Sequence, residues 1–275
     1  MAEHIDHTRA LLERASTVVD QACTLIGEML LRPRVDWKKS DRSPVTDIDL
    51  AVDELLRTRL MKLLPTAGWL SEETVDDRGR LDTDQVWVVD PIDGTRSLID
   101  GIPEFCVSVA LVDNGVPTIG LIANPSTGER FYAARGQGAW DESGKPLHVA
   151  DNDPNDGLEL VVSRSEVARG IWTDLDPKLT ATPMSGLAYK MAKVASGRAD
   201  GTMTVWPRRE WDVAAACVIV AEAGGLTTEL AGTDIDFNRA KPVIEGLVCG
   251  SRRAFDTILG LRSKVMQRRQ EARRR

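Results

Sequence analysis

Asp90 and Asp93 stand three residues apart in WVVDPIDGT, residues 87–95, at the end of the short apolar run Val86–Val89. Two carboxylates that close repel each other unless something positive lies between them. Oxygen-only ligands suit a hard cation, magnesium first and manganese second. More acids are within call of such a centre: Glu72 and Glu73 in WLSEE, and Asp212 in EWDVAAACVIVAEAGG. The carbonyl of Ile92 sits between the two aspartates, and Thr95 adds a hydroxyl able to orient a water. Together these groups could hold two or three ions roughly 3.5–4 Å apart, bridging one substrate phosphate. A short helix opening at Gly94-Thr95 would add free N–H groups for the same anion.

Competing chemistries lack their residues. Of the 3 histidines, His4 and His7 lie at the very start of the chain, leaving only His148. Phosphohistidine catalysis, a Ser-His-Asp triad and a His-rich zinc site are therefore poor fits. GxSxG, GxxxxGK[ST] and GxGxxG are all missing, which sets aside elbow hydrolases, P-loops and dinucleotide folds. DIDLA, residues 47–51, resembles the nucleophile string of phosphoaspartate-forming phosphatases. That string needs an apolar strand ahead of it, and SDRSPVT precedes this one. The acids also have ordinary roles open to them. Asp49 and Asp212 can cap helices, Glu72-Glu73 can sit in a solvated loop, and Asp93-Gly94 can form a turn.

The elements that must position these residues are legible. Val86–Val89 reads as a buried strand, and Pro91 ends it with a turn. Apolar residues at helical spacing predict one long helix over 7–31, closed by Pro33, and another from Ile48 to Leu63, closed by Pro65. Thr46 followed by Asp49 is a capping-box start that puts Asp49 in the first turn. From Val86 to about Val149, short apolar runs broken by Gly, Pro and Asn predict a strand meander. DNDPNDG, residues 151–157, is a candidate linker. It divides residues 1–150, with most of the candidate ligands, from residues 151–261, which supply Asp212. Beyond it come a strand at Leu158–Ser163, a helix near 186–197, a helix beginning at Asp212 and a late strand at Gly246–Cys249.

With 275 residues, 42% hydrophobic and 28% charged, the chain has the composition of an ordinary globular protein. No apolar run approaches the roughly 20 residues of a membrane span. The N-terminus carries acids and has no apolar signal core. Four widely spaced cysteines without a CxxC pair read as reduced thiols, and the expected location is cytoplasmic. The net charge is −7, yet residues 262–275 carry +6, leaving −13 on residues 1–261. That basic tail holds no aromatics to stack on bases, so a solvated or frayed helix end is the preferred reading, with no nucleic-acid or membrane partner.

WVVDPIDGT, with SEE upstream and WDVAAx(6)EAGG downstream, resembles the inositol monophosphatase family of magnesium-dependent, lithium-sensitive phosphatases. The similarity extends from about Lys39 to Gly250. It implies an α+β fold, a layered αβαβα sandwich, usually assembled as a homodimer and acting on small phosphorylated metabolites. Matched position by position, Glu72, Asp90, the Ile92 carbonyl and Thr95 would serve a first metal. Asp90, Asp93 and Asp212 would hold a second, with Glu72 sharing a weaker third. Asp49 and Thr95 would polarise the attacking water, with Glu72 also in a catalytic role, and Lys39 or Lys38 would lie near the third ion. Asp93, Gly94, Thr95 and Asp212 would touch substrate. Glu73 and Arg96 are motif neighbours.

The substrate stays open on these residues. DPIDGT and IPEFCVSVAL are shared with polyol phosphatases acting on inositol 1-phosphate and its like. SPVT, LSEE and EWD resemble the 3'(2'),5'-bisphosphate nucleotidase branch, and histidinol phosphate is a further candidate. TMTVWPRR offers no acid to grip inositol hydroxyls. Arg208 and Arg209 there could meet a second phosphate, although surface charges are the favoured reading. A metal-free binding protein is the reading from another class, and the presence of every expected ligand speaks against it.

Overall fold

The computed structural model describes residues 2–39, 44–173 and 175–274. Ser43 of SPVT, with Ser40–Arg42 before it, and Arg275 of the basic tail lie outside the described residues. In chain order the helices are α1 (Ala2–Leu30), α2 (Asp47–Leu63), α3 (Thr95–Asp100), α4 (Arg164–Ala168), α5 (Leu187–Ala195), α6 (Ala214–Glu222), α7 (Phe255–Gly260) and α8 (Arg262–Arg274). The strands of the first sheet are β1 (Asp36–Lys38) and β2 (Pro44–Thr46) as a small hairpin, then β3 (Gly68–Ser71), β4 (Gln85–Asp93), β5 (Cys106–Asp113), β6 (Val116–Ala123), β7 (Arg130–Ala134) and β8 (Gly138–Asp141). The second half adds β9 (Leu158–Ser163), β10 (Leu179–Met184), β11 (Gly201–Thr204), β12 (Arg208–Arg209), β13 (Leu226–Glu229), β14 (Val243–Ile244) and β15 (Leu247–Gly250).

Strand alternation builds the layers. Along β4, Trp87 and Val89 face one way and join α1 and α2 in one apolar cluster. Val86 and Val88 face the other way and join α5 and α6 in a second, as the two-residue period of a strand requires. The six-stranded sheet, ordered β3-β4-β5-β6-β7-β8, is thus covered on both faces. A five-stranded sheet, ordered β10-β9-β11-β15-β13, packs behind α5 and α6. Its outer face meets α7 and α8 through Leu160, Met203, Ile258 and Val265. The result is the αβαβα sandwich. The cluster around α5 and α6 draws residues from both sides of the 151–157 segment, from Leu70 to Cys249.

Close packing between the layers depends on one glycine. A Cβ on Gly120 of β6 would stand 2.4 Å from the Ala215 carbonyl oxygen and 2.4 Å from Val218 Cγ1, both on α6. Neither a helix backbone nor a buried valine can yield cheaply, so Gly120→Ala is expected to lower stability by about 3 kcal/mol. Urea unfolding checks this; a loss below about 1 kcal/mol would mean that α6 can shift freely on the sheet.

Three expectations need correction. β4 does not end at Pro91 but runs on to Asp93, because Pro91 and Ile92 together oppose Val107 in a β-bulge, between the pairs Asp90–Ser108 and Asp93–Cys106. A bulge tolerates the missing proline N–H. The second helix of interest begins at Ala214, and Asp212 instead closes a 3₁₀ turn over Glu210–Asp212. The basic tail is no frayed end: α8 buries Val265 completely, and Arg269 donates from Nη1 to the Val205 carbonyl at 2.5 Å. The aromatic that the tail lacks comes from elsewhere in the chain, since Trp206 carries Arg269, Arg273 and Arg169 over its ring at 4.3, 4.9 and 5.2 Å.

Candidate active site

The bulge in β4 decides where the two aspartates point. Residues i and i+3 of a regular strand face opposite sides of a sheet. The extra residue restores a common side, and both Asp90 and Asp93 line one cleft of about 540 Å³. Glu72 follows β3 directly, its N–H donating to the Val89 carbonyl at 3.3 Å. Asp53 of α2 fixes that loop, accepting from the hydroxyls of Ser71 and of Thr74, the latter at 2.6 Å. Asp212 reaches the same cleft from the 3₁₀ turn, which is pinned because buried Glu210 accepts from the N–H groups of Asn238 and Arg239 at 2.7 and 2.9 Å.

Glu72, Asp90 and Asp212 each present an oxygen within 4.8 Å of the others. Asp90 is 2% exposed, and burial followed by Glu72, Asp93, Asp212 and Asp49 pushes its pKa well above the carboxylate range. Asp212 is raised to about 7 by burial, against the opposing pull of Arg208 and with Asp93 and Glu72 adding to it. A buried set of converging oxygen donors with net negative charge is the donor chemistry of a hard divalent cation. The set fits such an ion.

Asp93 stands in the cleft but outside that triad. Its Oδ2 accepts from the Ala188 N–H at 2.7 Å, so it caps α5; burial raises its pKa while Lys190 opposes the rise. Asp49 does two things at once. Its Oδ2 closes the capping box of α2, accepting from Thr46 N–H at 2.8 Å and Thr46 Oγ1 at 2.5 Å. Its Oδ1 accepts from Thr95 Oγ1 at 2.9 Å. The Ile92 carbonyl lies 3.1 Å from the same hydroxyl. Gly94 takes φ 101° just ahead of α3, and a Cβ there would sit 2.8 Å from the Glu104 carbonyl oxygen.

Sequence reasoning missed several neighbours. Lys39 bridges Glu72 and Glu73 at 2.8 and 2.7 Å, and burial still lifts Glu73 to about 7. Lys190, 4% exposed, lines the cleft from α5; burial and then Arg208 push it down to about 8. Its signal was a lysine inside LAYKMAKVA, a helix otherwise almost wholly buried. Arg208 also lines the cleft, whereas Arg209 is exposed.

The raised carboxyls make a pH prediction. Protons bind them more tightly in the folded protein than in the unfolded chain. The resulting stability is complete below the unfolded value of about 4 and is lost as pH rises through about 7. In chelator, Asp212→Asn should therefore melt higher than the parent by a margin that is larger at pH 8 than at pH 5. Magnesium at pH 8 should shrink that margin. Differential scanning fluorimetry reads both; a pH-independent margin would show that Asp212 feels no such repulsion.

Comparison with known proteins agrees with this geometry. The inositol monophosphatase family profile matches residues 2–267. The chain is 31% identical over 209 residues to a fructose-1,6-bisphosphatase/inositol-1-monophosphatase of Thermotoga maritima, covering 73% of this chain and 77% of that one. It is likewise 31% identical over 246 residues to the 3'(2'),5'-bisphosphate nucleotidase CysQ of Aggregatibacter actinomycetemcomitans, covering 86% and 91%. The solved structure of a Thermotoga maritima IMPase superposes with a TM-score of 0.79 at 25% identity, over 91% of this chain and 96% of that one. Its relatives act on phosphoric monoesters and depend on metal, their substrate names differ, and no helix among the described residues is long and apolar enough to cross a membrane. This chain belongs to the inositol monophosphatase family, the phosphoric monoester hydrolases whose fold and acidic cleft it shares.

Proposed function

We propose that the protein is a magnesium-dependent phosphomonoesterase of the inositol-monophosphatase type, hydrolysing inositol 1-phosphate or a similar polyol phosphate. The observation that carries this reading is the buried Glu72–Asp90–Asp212 triad, set in one cleft with the Asp49–Thr95 hydrogen bond. Glu72, Asp90, the Ile92 carbonyl and Thr95 would hold one ion. Asp90, Asp93 and Asp212 would hold a second, and Glu72 would share a third, held near Lys39. Manganese is the alternative ion. When bound, the ions withdraw charge from the phosphoryl oxygens and make water acidic enough to attack.

The chain's own residues do the rest. Thr95 donates to Asp49, which leaves its oxygen lone pair free to accept a hydrogen from a water and aim it. As the water loses its proton to Thr95, the Thr95 proton passes to Asp49, whose raised pKa suits it to receive one. Gly94 has no side chain to bar the approach of a phosphate to the start of α3. Residues 1–150 would thus carry most of the ligands and residues 151–261 would contribute Asp212 and substrate contacts. Lithium inhibition, a homodimer and a cytoplasmic location rest on family membership alone.

A second reading, 3'(2'),5'-bisphosphate nucleotidase, is favoured by Arg208 lying in the cleft wall. Histidinol phosphate has no comparable observation behind it. Phosphate release with magnesium from inositol 1-phosphate, 3'-phosphoadenosine 5'-phosphate, histidinol phosphate and fructose 1,6-bisphosphate tests the proposal. Inositol 1-phosphate turnover above the others is expected. No magnesium-dependent release from any of the four would overturn it.

A further inference from the structure

Lys190 and Arg208 stand out as cations without matching acids. Arg164, in the same cleft, is committed: its Nε and Nη2 donate to both oxygens of Glu104 at 2.8 and 2.5 Å. The Lys190 ammonium has three protons, yet among the described residues its hydrogen bond is one long contact of 3.4 Å to the Met184 carbonyl. Arg208 donates from Nη2 to Thr204 Oγ1 at 3.2 Å, and its Nε is buried with no partner. Buried donors left unmet are costly and call for an explanation. The two cations also lie close enough to repel each other, an arrangement that an anion between them relieves.

We propose that Lys190 and Arg208 form a second anion subsite of the cleft, selecting substrates that carry a further phosphate or carboxylate beyond the phosphoryl group being cleaved. The inference rests on the phosphatase reading of the same cleft and names its substrate class. Four cationic side chains and five acidic ones line the cleft, so one divalent ion in the triad already turns its balance positive. The subsite is also rigid, which reduces the ordering cost of binding. Lys190 projects from the middle of buried α5. Arg208 follows Trp206, whose ring lies under Arg169, Arg269 and Arg273 while Arg269 holds the Val205 carbonyl. α8 therefore clamps the segment that delivers Arg208.

Two matched pairs of probes test this in magnesium: fructose 1,6-bisphosphate against fructose 1-phosphate, and adenosine 3',5'-bisphosphate against adenosine 3'-phosphate. The parent protein should favour the doubly anionic member in kcat/KM. R208Q and K190M should each reduce that preference by about tenfold or more, as a charged hydrogen bond is worth, with the loss in KM. R208K should restore part of it, because the charge remains. R208Q keeps the test readable should K190M fail to fold. A preference unchanged in both variants, or no preference in the parent for either pair, overturns the subsite while leaving the phosphatase intact. Should none of the esters be hydrolysed, the proposed function fails instead, and the same ratios read as Kd by calorimetry decide the subsite.

Discussion

Asp90→Asn reduces magnesium-dependent phosphate release by about 10²–10³-fold or more, the scale on which loss of one preorganised charge-stabilising group is felt. Asp90 is the member of the triad that the fold buries most deeply, at 2% exposure. One of its oxygens is already engaged by the Ile92 N–H at 3.0 Å, a contact that an amide oxygen can keep. The substitution thus removes charge and one donor oxygen with little change of shape. Folding should not suffer: without metal, Asp90 is pressed by Glu72, Asp93, Asp212 and Asn in its place feels none of them. The metal-free variant is expected to melt at or above the parent's temperature. What it loses is stabilisation by the ion, which for the parent is about 2.7 kcal/mol at a hundred times Kd. A magnesium titration by scanning fluorimetry reads that loss independently of turnover. Activity unchanged in D90N would remove Asp90 from the proposed ligand set.

How far the chain disclosed this site depends on whether the relevant signal was local. Helix ends were read closely, because Thr46, Asp49 and Pro65 act on the turn in which they sit. Strand β9 was read with its observed ends for the same reason: a β-branched run is bounded there by turn residues. The bulge was missed. Proline forbids a regular central strand, but whether the chain turns away or bulges is decided by pairing with β5, a neighbour not visible from residues 85–93. The start of α6 was misjudged for a similar reason, since Glu210 holds the preceding turn through Asn238 and Arg239, more than twenty-five positions away. Lys190 and the clamp of α8 on Trp206 depend on packing between layers. There the local pattern offered only an odd charge in an apolar helix and a run of arginines. The dual role of Asp49 shows the limit differently: capping and proton transfer were weighed as alternatives, whereas its two oxygens serve the cap and Thr95 separately.

That division of labour makes the Asp49–Thr95 pair testable. Thr95→Val keeps the branched shape and removes the hydroxyl, so it deletes the group proposed to take the water's proton. A fall in kcat of about 10²–10⁴-fold is expected, the range of general acid–base contributions, with KM changed much less. Thr95→Ser, which retains the hydroxyl, should recover most of the rate. Asp49→Asn tests the other end of the relay. Its two oxygens all accept, from Thr46 on one side and Thr95 on the other, whereas an amide offers one acceptor and one donor. Turning its oxygen to Thr46 preserves the cap, worth about 1 kcal/mol, and leaves NH₂ facing Thr95. The Thr95 hydroxyl must then donate toward the Ile92 carbonyl, 3.1 Å away, and its proton no longer has a base. D49N should therefore fold like the parent and turn over about as slowly as T95V. The double variant should be hardly worse than either, because residues acting as a unit are strongly non-additive. Single-turnover phosphate release in the three proteins gives the answer: additive losses in the double variant would mean that Asp49 and Thr95 act separately, and the relay would be wrong.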